Sequence, residues 1–218
     1  MGAKVRYKSI IVKFAPDVRY KSMKGETDYF TILPEDKVPE RGKILISEPF
    51  LADTFFNRTI VYLVGHSEEG SIGFILNKPL EIKLNEAVDG FDRCGDYLYM
   101  GGPVMPDTLH FIHSCGDNIP DSVWVDDNIY WGGDIDVVRE LIANGELDGG
   151  RIRFFLGYSG WDSGQLEREL EEDSWVVVKV NPEIILDNSI EDPWKTVLRG
   201  FNKKYRVWAD FPKSPELN

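Results

Sequence analysis

From Gly42 onward the apolar residues fall into short runs broken by polar or glycine-containing turns, a pattern of strands with a few helices between them. Lys43–Ser47 reads as a short strand closed by Pro49. Arg58–Val64 (RTIVYLV) is dense in β-branched and aromatic side chains, which suit a pleated, half-buried surface. The polar stretch Gly65–Gly70 then predicts a turn into a second strand, Ser71–Asn77, and so a β-hairpin with Gly70 free to take positive φ. A short helix is expected over residues 81–91, strands over Tyr97–Met100 and Leu109–His113, and a helix capped by Asp134 or Asp136. That helix carries Val137, Val138, Leu141 and Ile142 on one face and ends at Asn144-Gly145. Arg151–Leu156 predicts a strand, residues Gly157–Gly164 a glycine-rich loop into a helix reaching about Glu172, and Trp175–Val180 another strand. Asp192-Pro193 starts a last helix in cap-then-proline order, with Trp194, Val197, Leu198 and Phe201 as its apolar face. Strands and helices mixed without a repeating βαβ unit predict an α+β fold.

Residues 1–38 break this pattern. They are basic, weakly periodic and bounded by Pro34, Pro39 and Gly42, and are expected to form a flexible extension ahead of a domain over residues 39–218. Met23 would serve equally as a start, against the rival reading of a basic arm for an acidic partner. Residues 1–24 hold seven bases and one acid, so the rest of a chain of net charge −12 carries −18. A nucleic-acid surface needs clustered Lys and Arg, so direct DNA or RNA binding is disfavoured. No apolar run approaches the ~18 residues of a membrane helix, and no signal-type apolar segment follows the N-terminal bases. Only Cys94 and Cys115 occur, without a CxxC pair, which with the missing signal predicts reduced thiols and a cytoplasmic location.

The chemistry-bearing residues assemble no known catalytic set. Residues 157–164 read Gly-Tyr-Ser-Gly-Trp-Asp-Ser-Gly between a predicted strand and helix, a place where helix N-termini attract anions. The spacing is neither GxGxxG nor a P-loop, and Asp162 would repel phosphate. The plainer reading makes Asp162 a helix cap, with Gln165 completing a capping box. Ser159 fails the Gly-x-Ser-x-Gly elbow because Trp161 stands two residues on, and no histidine follows His113. His110 and His113 on one strand point to opposite faces and cannot share an ion. His113 with Cys115 offers two ligands where zinc needs three or four. No catalytic residue, metal or cofactor is therefore assigned.

Several blocks together resemble one family. They are Arg41–Ile46 with Asp53 and Phe56; Arg58–Leu63 running to His66, Glu69, Gly70 and Gly73–Pro79; Tyr99–Val104; and Gly157–Trp161 with Gly164–Glu167. In order and number they are similar to the AlgH-like (YqgE) family of bacterial proteins. The resemblance implies one compact α+β domain with a mixed, partly barrel-like sheet flanked by helices, and an old association with transcriptional regulation of alginate synthesis, but no reaction. Two departures from the family resemblance are Ser159, where many relatives carry Ala, and Asp162, where Gly is usual. The expected function is a non-enzymatic binding or regulatory module acting on an unknown protein or small molecule. Its expected surface comprises Gly101, Gly102, Pro103, Gly157, Tyr158, Ser159, Gly160, Trp161 and Asp162. The alternative is an unfamiliar enzyme whose site joins Asp53, His66 and the 157–164 segment.

Overall fold

A strand of eleven residues, Ile152–Asp162 (β9), is the spine of the computed structural model, which describes residues 38–201 and 203–212. The expected basic extension and the alternative start at Met23 lie outside the described residues. Ahead of β9 come β1 (Ile44–Ser47), β2 (Ile60–Ser67), β3 (Gly70–Ile75), β4 (Pro79–Lys83), the one-turn α1 (Leu84–Ala87), β5 (Tyr97–Met100) and β6 (Val104–His113). They are followed by β7 (Val123–Asp126), β8 (Ile129–Trp131) and α2 (Ile135–Asn144). After β9 come α3 (Gln165–Glu171), β10 (Trp175–Val178), α4 (Pro182–Leu186), α5 (Pro193–Gly200) and α6 (Lys203–Asp210). The fold is α+β, as expected.

The strands join in the order β10-β1-β2-β3-β9-β6-β8-β7, with β4 on β5 and β5 alongside β9. Every pairing is antiparallel except β5 with β9, so the sheet is mixed. It curls without closing. Ile44, Ile46, Tyr62, Phe74, Phe155 and Trp131 share the concave side with Trp194, Val197 and Leu198 of α5. The two edge strands approach through Lys179, whose Nζ lies 2.9 Å from Asp126, but no ladder links them. Outside the curl, α3 covers Leu45, Val61, Leu63 and Ile75 with Leu166 and Leu170. Elsewhere on the outside, α2 places Val138 and Ile142 against Leu109, Phe111, Ile152 and Phe154. Strands buried on both faces explain why RIRFFL and RTIVYLV read as continuous rather than alternating apolar runs.

Several boundaries differ from the sequence-based expectation. The hairpin is longer than predicted: Gly65, His66 and Ser67 belong to β2 and pair with β3 across a bulge, leaving Glu68-Glu69 as the turn. The helix expected over 81–91 is confined to the single turn α1, Leu84–Ala87, because residues 81–83 belong to strand β4, where Leu80 and Ile82 alternate with Glu81 and Lys83 beside β5. The loop expected over Gly157–Gly164 is strand as far as Asp162. Gly157, at φ +66°, bends β9 without ending it, and residues 159–162 continue by pairing with β3. Asp162 does not cap α3. The cap position is Gly164, at φ +67°, and the Gln165 Oε1 accepts from the Asp162 N–H at 3.0 Å, half of the expected box. Asp134 caps α2 and Asp192 caps α5 through side-chain oxygens. The hairpin β7-β8 and helices α4 and α6 were not anticipated.

Candidate functional site

The two glycine blocks meet, backbone on backbone. Tyr99 pairs with Phe155 and Met100 with Leu156, in parallel register. The Gly101 N–H donates to Leu156 O at 2.8 Å, while Gly101 O accepts from Ile75 N at 3.0 Å. A Cβ on Gly101 would overlap Gly157 O, and one on Gly102 (φ +155°) would overlap the Tyr158 carbonyl. These glycines therefore permit a direct crossing of β9 by the β5–β6 connection. Ser159 is fully buried and its hydroxyl donates to Gly101 O at 2.9 Å, fastening the same crossing. Pro103 is exposed, while Tyr158 and Gly160 are partly exposed.

Trp161 faces outward from the curl into the layer under α3. It stacks on Phe56 with ring centroids 6.0 Å apart and meets Trp175 edge-on at 5.9 Å. The indole N–H groups of Trp161 and Trp175 both donate to Glu169 Oε2 at 2.8 Å, so one carboxylate of α3 satisfies two buried donors. Asp162 is exposed. Phe56 brings the 53–56 turn against Trp161, but the Asp53 Oδ1 is occupied by the Phe55 and Phe56 N–H groups at 2.7 and 2.9 Å. His66 Nδ1 lies 2.8 Å from Ser71 Oγ, and its Nε2 faces Glu167 of α3 at 3.7 Å.

His110 and His113 occupy opposite faces of β6, as the period of a strand requires. His110 lies among Phe74, Tyr158 and Trp131, with Nε2 3.0 Å from Thr108 Oγ1. His113 stacks on Tyr130; its Nδ1 accepts from Cys115 N, which leaves Nε2 to donate to Gly132 O at 3.0 Å. Burial pushes both rings down to about 4, so both are neutral at pH 7. Burial pushes both thiols up, Cys94 to about 11, which disfavours the reactive thiolate. Among the described residues no group of three or more metal-ligating side chains converges.

A wide cleft of about 840 Å³ lies elsewhere, between the turn after α2 and the turn after α4. Asp96, Asp148, Glu183, Asp187 and Asn188 line it, with the backbone of Gly149-Gly150. None of the sequence-predicted site residues does. Behind its wall is a small chamber of about 10 Å³, room for about one water, lined by apolar side chains, Asp187 and Arg153. Arg153 is 4% exposed, and of its five N–H donors one makes a hydrogen bond, Nη1 to Leu76 O at 3.1 Å. Its buried Nε has no partner and it forms no ion pair among the described residues. The Tyr99 ring covers the guanidinium at 4.8 Å, and the Tyr99 hydroxyl is 3.2 Å from Asn188 Oδ1. Burial lowers Arg153 to about 10, still charged at pH 7. The Asp187 carboxyl is held below its usual range by the Ser189 hydroxyl and N–H and, more weakly, by the charge of Arg153.

The glycine crossing and this cleft are connected. It is the Gly101–Gly157 contact that fixes β5 against β9, and that register sets Tyr99 over Arg153. Sequence reasoning missed Arg153 because a single arginine in RIRFFL looks like any strand residue. Its one available signal was a charge inside a continuous apolar run.

The AlgH-like family model matches residues 44–206. This chain belongs to the AlgH-like family. AlgH-like relatives include a UPF0301 protein of Bacteroides fragilis, 42% identical over 197 residues, which cover 90% of this chain and 100% of the relative. Another, from Chlorobium limicola, is 45% identical over 177 residues, 81% of this chain and 95% of its own. The solution structure of the AlgH protein from Pseudomonas aeruginosa superposes with a TM-score of 0.62 at 29% identity, covering 83% of this chain and 94% of AlgH. Protein DIP2367 from Corynebacterium diphtheriae shares the fold, with a TM-score of 0.68 at 21% identity over 80% of this chain and 93% of that one. The AlgH-like assignment fixes the architecture and brings no reaction with it. No helix among the described residues is long and apolar enough to cross a membrane.

Proposed function

We propose that this AlgH-like protein is a binding module without catalytic activity, and that its ligand occupies the cleft between Asp148-Gly149-Gly150 and Asp187-Asn188. The observation that carries the reading is the lining of the cleft, which offers carboxylates, amides, the Ser114 and Ser189 hydroxyls and backbone but no histidine, cysteine or lysine. Concave sites with a few convergent polar groups are the usual seats of small ligands. The groups that an enzyme reading would recruit are committed elsewhere. Asp53 holds its own turn, and Ser159 is sealed beneath Gly101. The segment Gly157–Asp162, with Gly101 and Gly102, then serves as the frame that positions Tyr99 and Arg153. A regulatory role in transcription would act through the ligand or a partner protein, since the acidic body disfavours phosphate contacts. The experiment is purification from the native host followed by mass spectrometry of co-purifying small molecules. A bound compound lost in Asp148→Asn and Asn188→Ala supports the proposal; retention in both places the ligand elsewhere.

A further inference from the structure

The cleft combines two electrostatic features of opposite sign. Arg153 is a cation buried in an apolar wall with four of its five donors unused. Buried charges are normally paired, because desolvation costs several kcal/mol per ion. Among the described residues none forms an ion pair with it, and Asp187, in the wall of the same chamber, offsets its charge only at longer range. Asp187 and Ile184 belong to the walls of both the chamber and the cleft, so the guanidinium lies one side chain behind the cleft surface. The cleft itself carries the opposite sign, with Asp96, Asp148, Glu183 and Asp187 and no basic side chain.

Each simple ligand class fails one half of this arrangement. A polyanion such as a nucleotide would meet four carboxylates before reaching Arg153. A plain cation would suit the rim but leave the remaining guanidinium donors without an acceptor. We infer that the cleft takes a small zwitterion of the amino-acid type, its carboxylate reaching past Asp187 to Arg153 and its ammonium held by the acidic rim at Asp148 and Asp96. This rests on the reading of the cleft as the ligand site. Tyr99 stacks on the guanidinium and holds Asn188 through its hydroxyl, so it joins the anion end to the rim. Arginine suits the task because its planar fork can donate to both oxygens of a carboxylate.

The test is an NMR titration of the full-length isotope-labelled protein with free L-amino acids, each paired with its C-amide and its N-acetyl form, and with inorganic phosphate. At least one free amino acid should shift the amides of Asp148–Gly150 and Asp187–Ser189. Removing either ligand charge should weaken binding about tenfold or more, which is about 1.4 kcal/mol. In Arg153→Met the free acid and its amide should bind equally, since the protein and ligand changes remove the same interaction. Asp148→Asn, which leaves Arg153 intact, should instead level the free acid with its N-acetyl form. Should Arg153→Met not fold, Arg153→Lys keeps the charge but loses the fork, and is expected to weaken the free acid while sparing the amide.

If no free amino acid shifts those amides, the zwitterion assignment is overturned. It is overturned equally if phosphate binds there as strongly, or if the amide matches the free acid in the unaltered protein. A co-purifying compound of other chemistry that shifts the same amides would leave the binding-cleft reading standing, and its absence would remove that reading too.

Discussion

Replacing Gly101 with alanine tests the proposed role of the glycine crossing most directly. The added methyl would overlap Gly157 O and come to 3.0 Å from the Phe74 ring. The obstructing atom is backbone within a ladder, so it cannot rotate away, and the two chains must separate. Three hydrogen bonds depend on their present spacing: Gly101 N to Leu156 O, Ile75 N to Gly101 O, and Ser159 Oγ to Gly101 O. At about 1 kcal/mol for each bond weakened, together with about 1–3 kcal/mol for overpacking a close-packed site, the expected loss is about 4–6 kcal/mol. Domains of this kind are stable by about 5–15 kcal/mol, so the variant should unfold at a much lower urea concentration with a similar slope. Gly95→Ala is the control, because nothing lies within 4 Å of its Cβ; it should move stability by about 0.5 kcal/mol or less. Equilibrium denaturation followed by tryptophan fluorescence measures both. A Gly101→Ala protein within about 1 kcal/mol of wild type would refute the close-crossing explanation of these glycines.

Glu169→Ala removes the acceptor shared by Trp161 and Trp175, leaving two indole donors unmet, and should cost about 2–4 kcal/mol with a shifted tryptophan emission maximum. Ser159→Ala should cost about 1 kcal/mol in denaturation, because Gly101 O keeps its bond from Ile75, and should leave ligand binding unchanged. Arg153→Met should change stability by about 1–2 kcal/mol at most, because relief of a buried, poorly paired charge offsets the lost bond to Leu76 O; a loss well beyond that would make Arg153 a structural residue. His110 and His113 have folded-state values near 4, below the unfolded value of about 6.5, so the unfolded chain binds more protons between these limits. Stability should therefore be full above pH 6.5 and fall as pH drops toward 4, by on the order of 3 kcal/mol for each ring. Denaturation midpoints across this range should show the loss, and His110→Phe should flatten the slope.

Much of the fold was legible in the chain because local physics sets it. Asp134, Asp192 and Gly145 mark their helix ends through side-chain caps and a left-handed backbone, effects that reach only a few residues. Strand composition likewise exposed β1, β2, β3, β5 and β10. The misreadings share a cause. Glycine usually ends a strand, but at Gly157 the neighbouring strands β3 and β6 supply a ladder on both sides, and β9 bends and continues. In the same way Leu80 and Ile82 became strand because β5 was there to pair with them.

The site divides along the same line. The sequence alone determined that the glycine blocks matter, that Ser159 lacks the surroundings of a nucleophile, and that the body is too acidic to attract phosphate, since composition and spacing decide these points. Only the tertiary structure decided what the blocks are for. Gly101 and Gly157 lie 56 positions apart, and their contact exists only once β5 lies alongside β9. Arg153, Tyr99 and Asp187 likewise come from three separate segments, and none carries a local signal of the others. Burial turned an ordinary strand arginine into an interior charge with one hydrogen bond among the described residues, and burial is a property of the assembled chain.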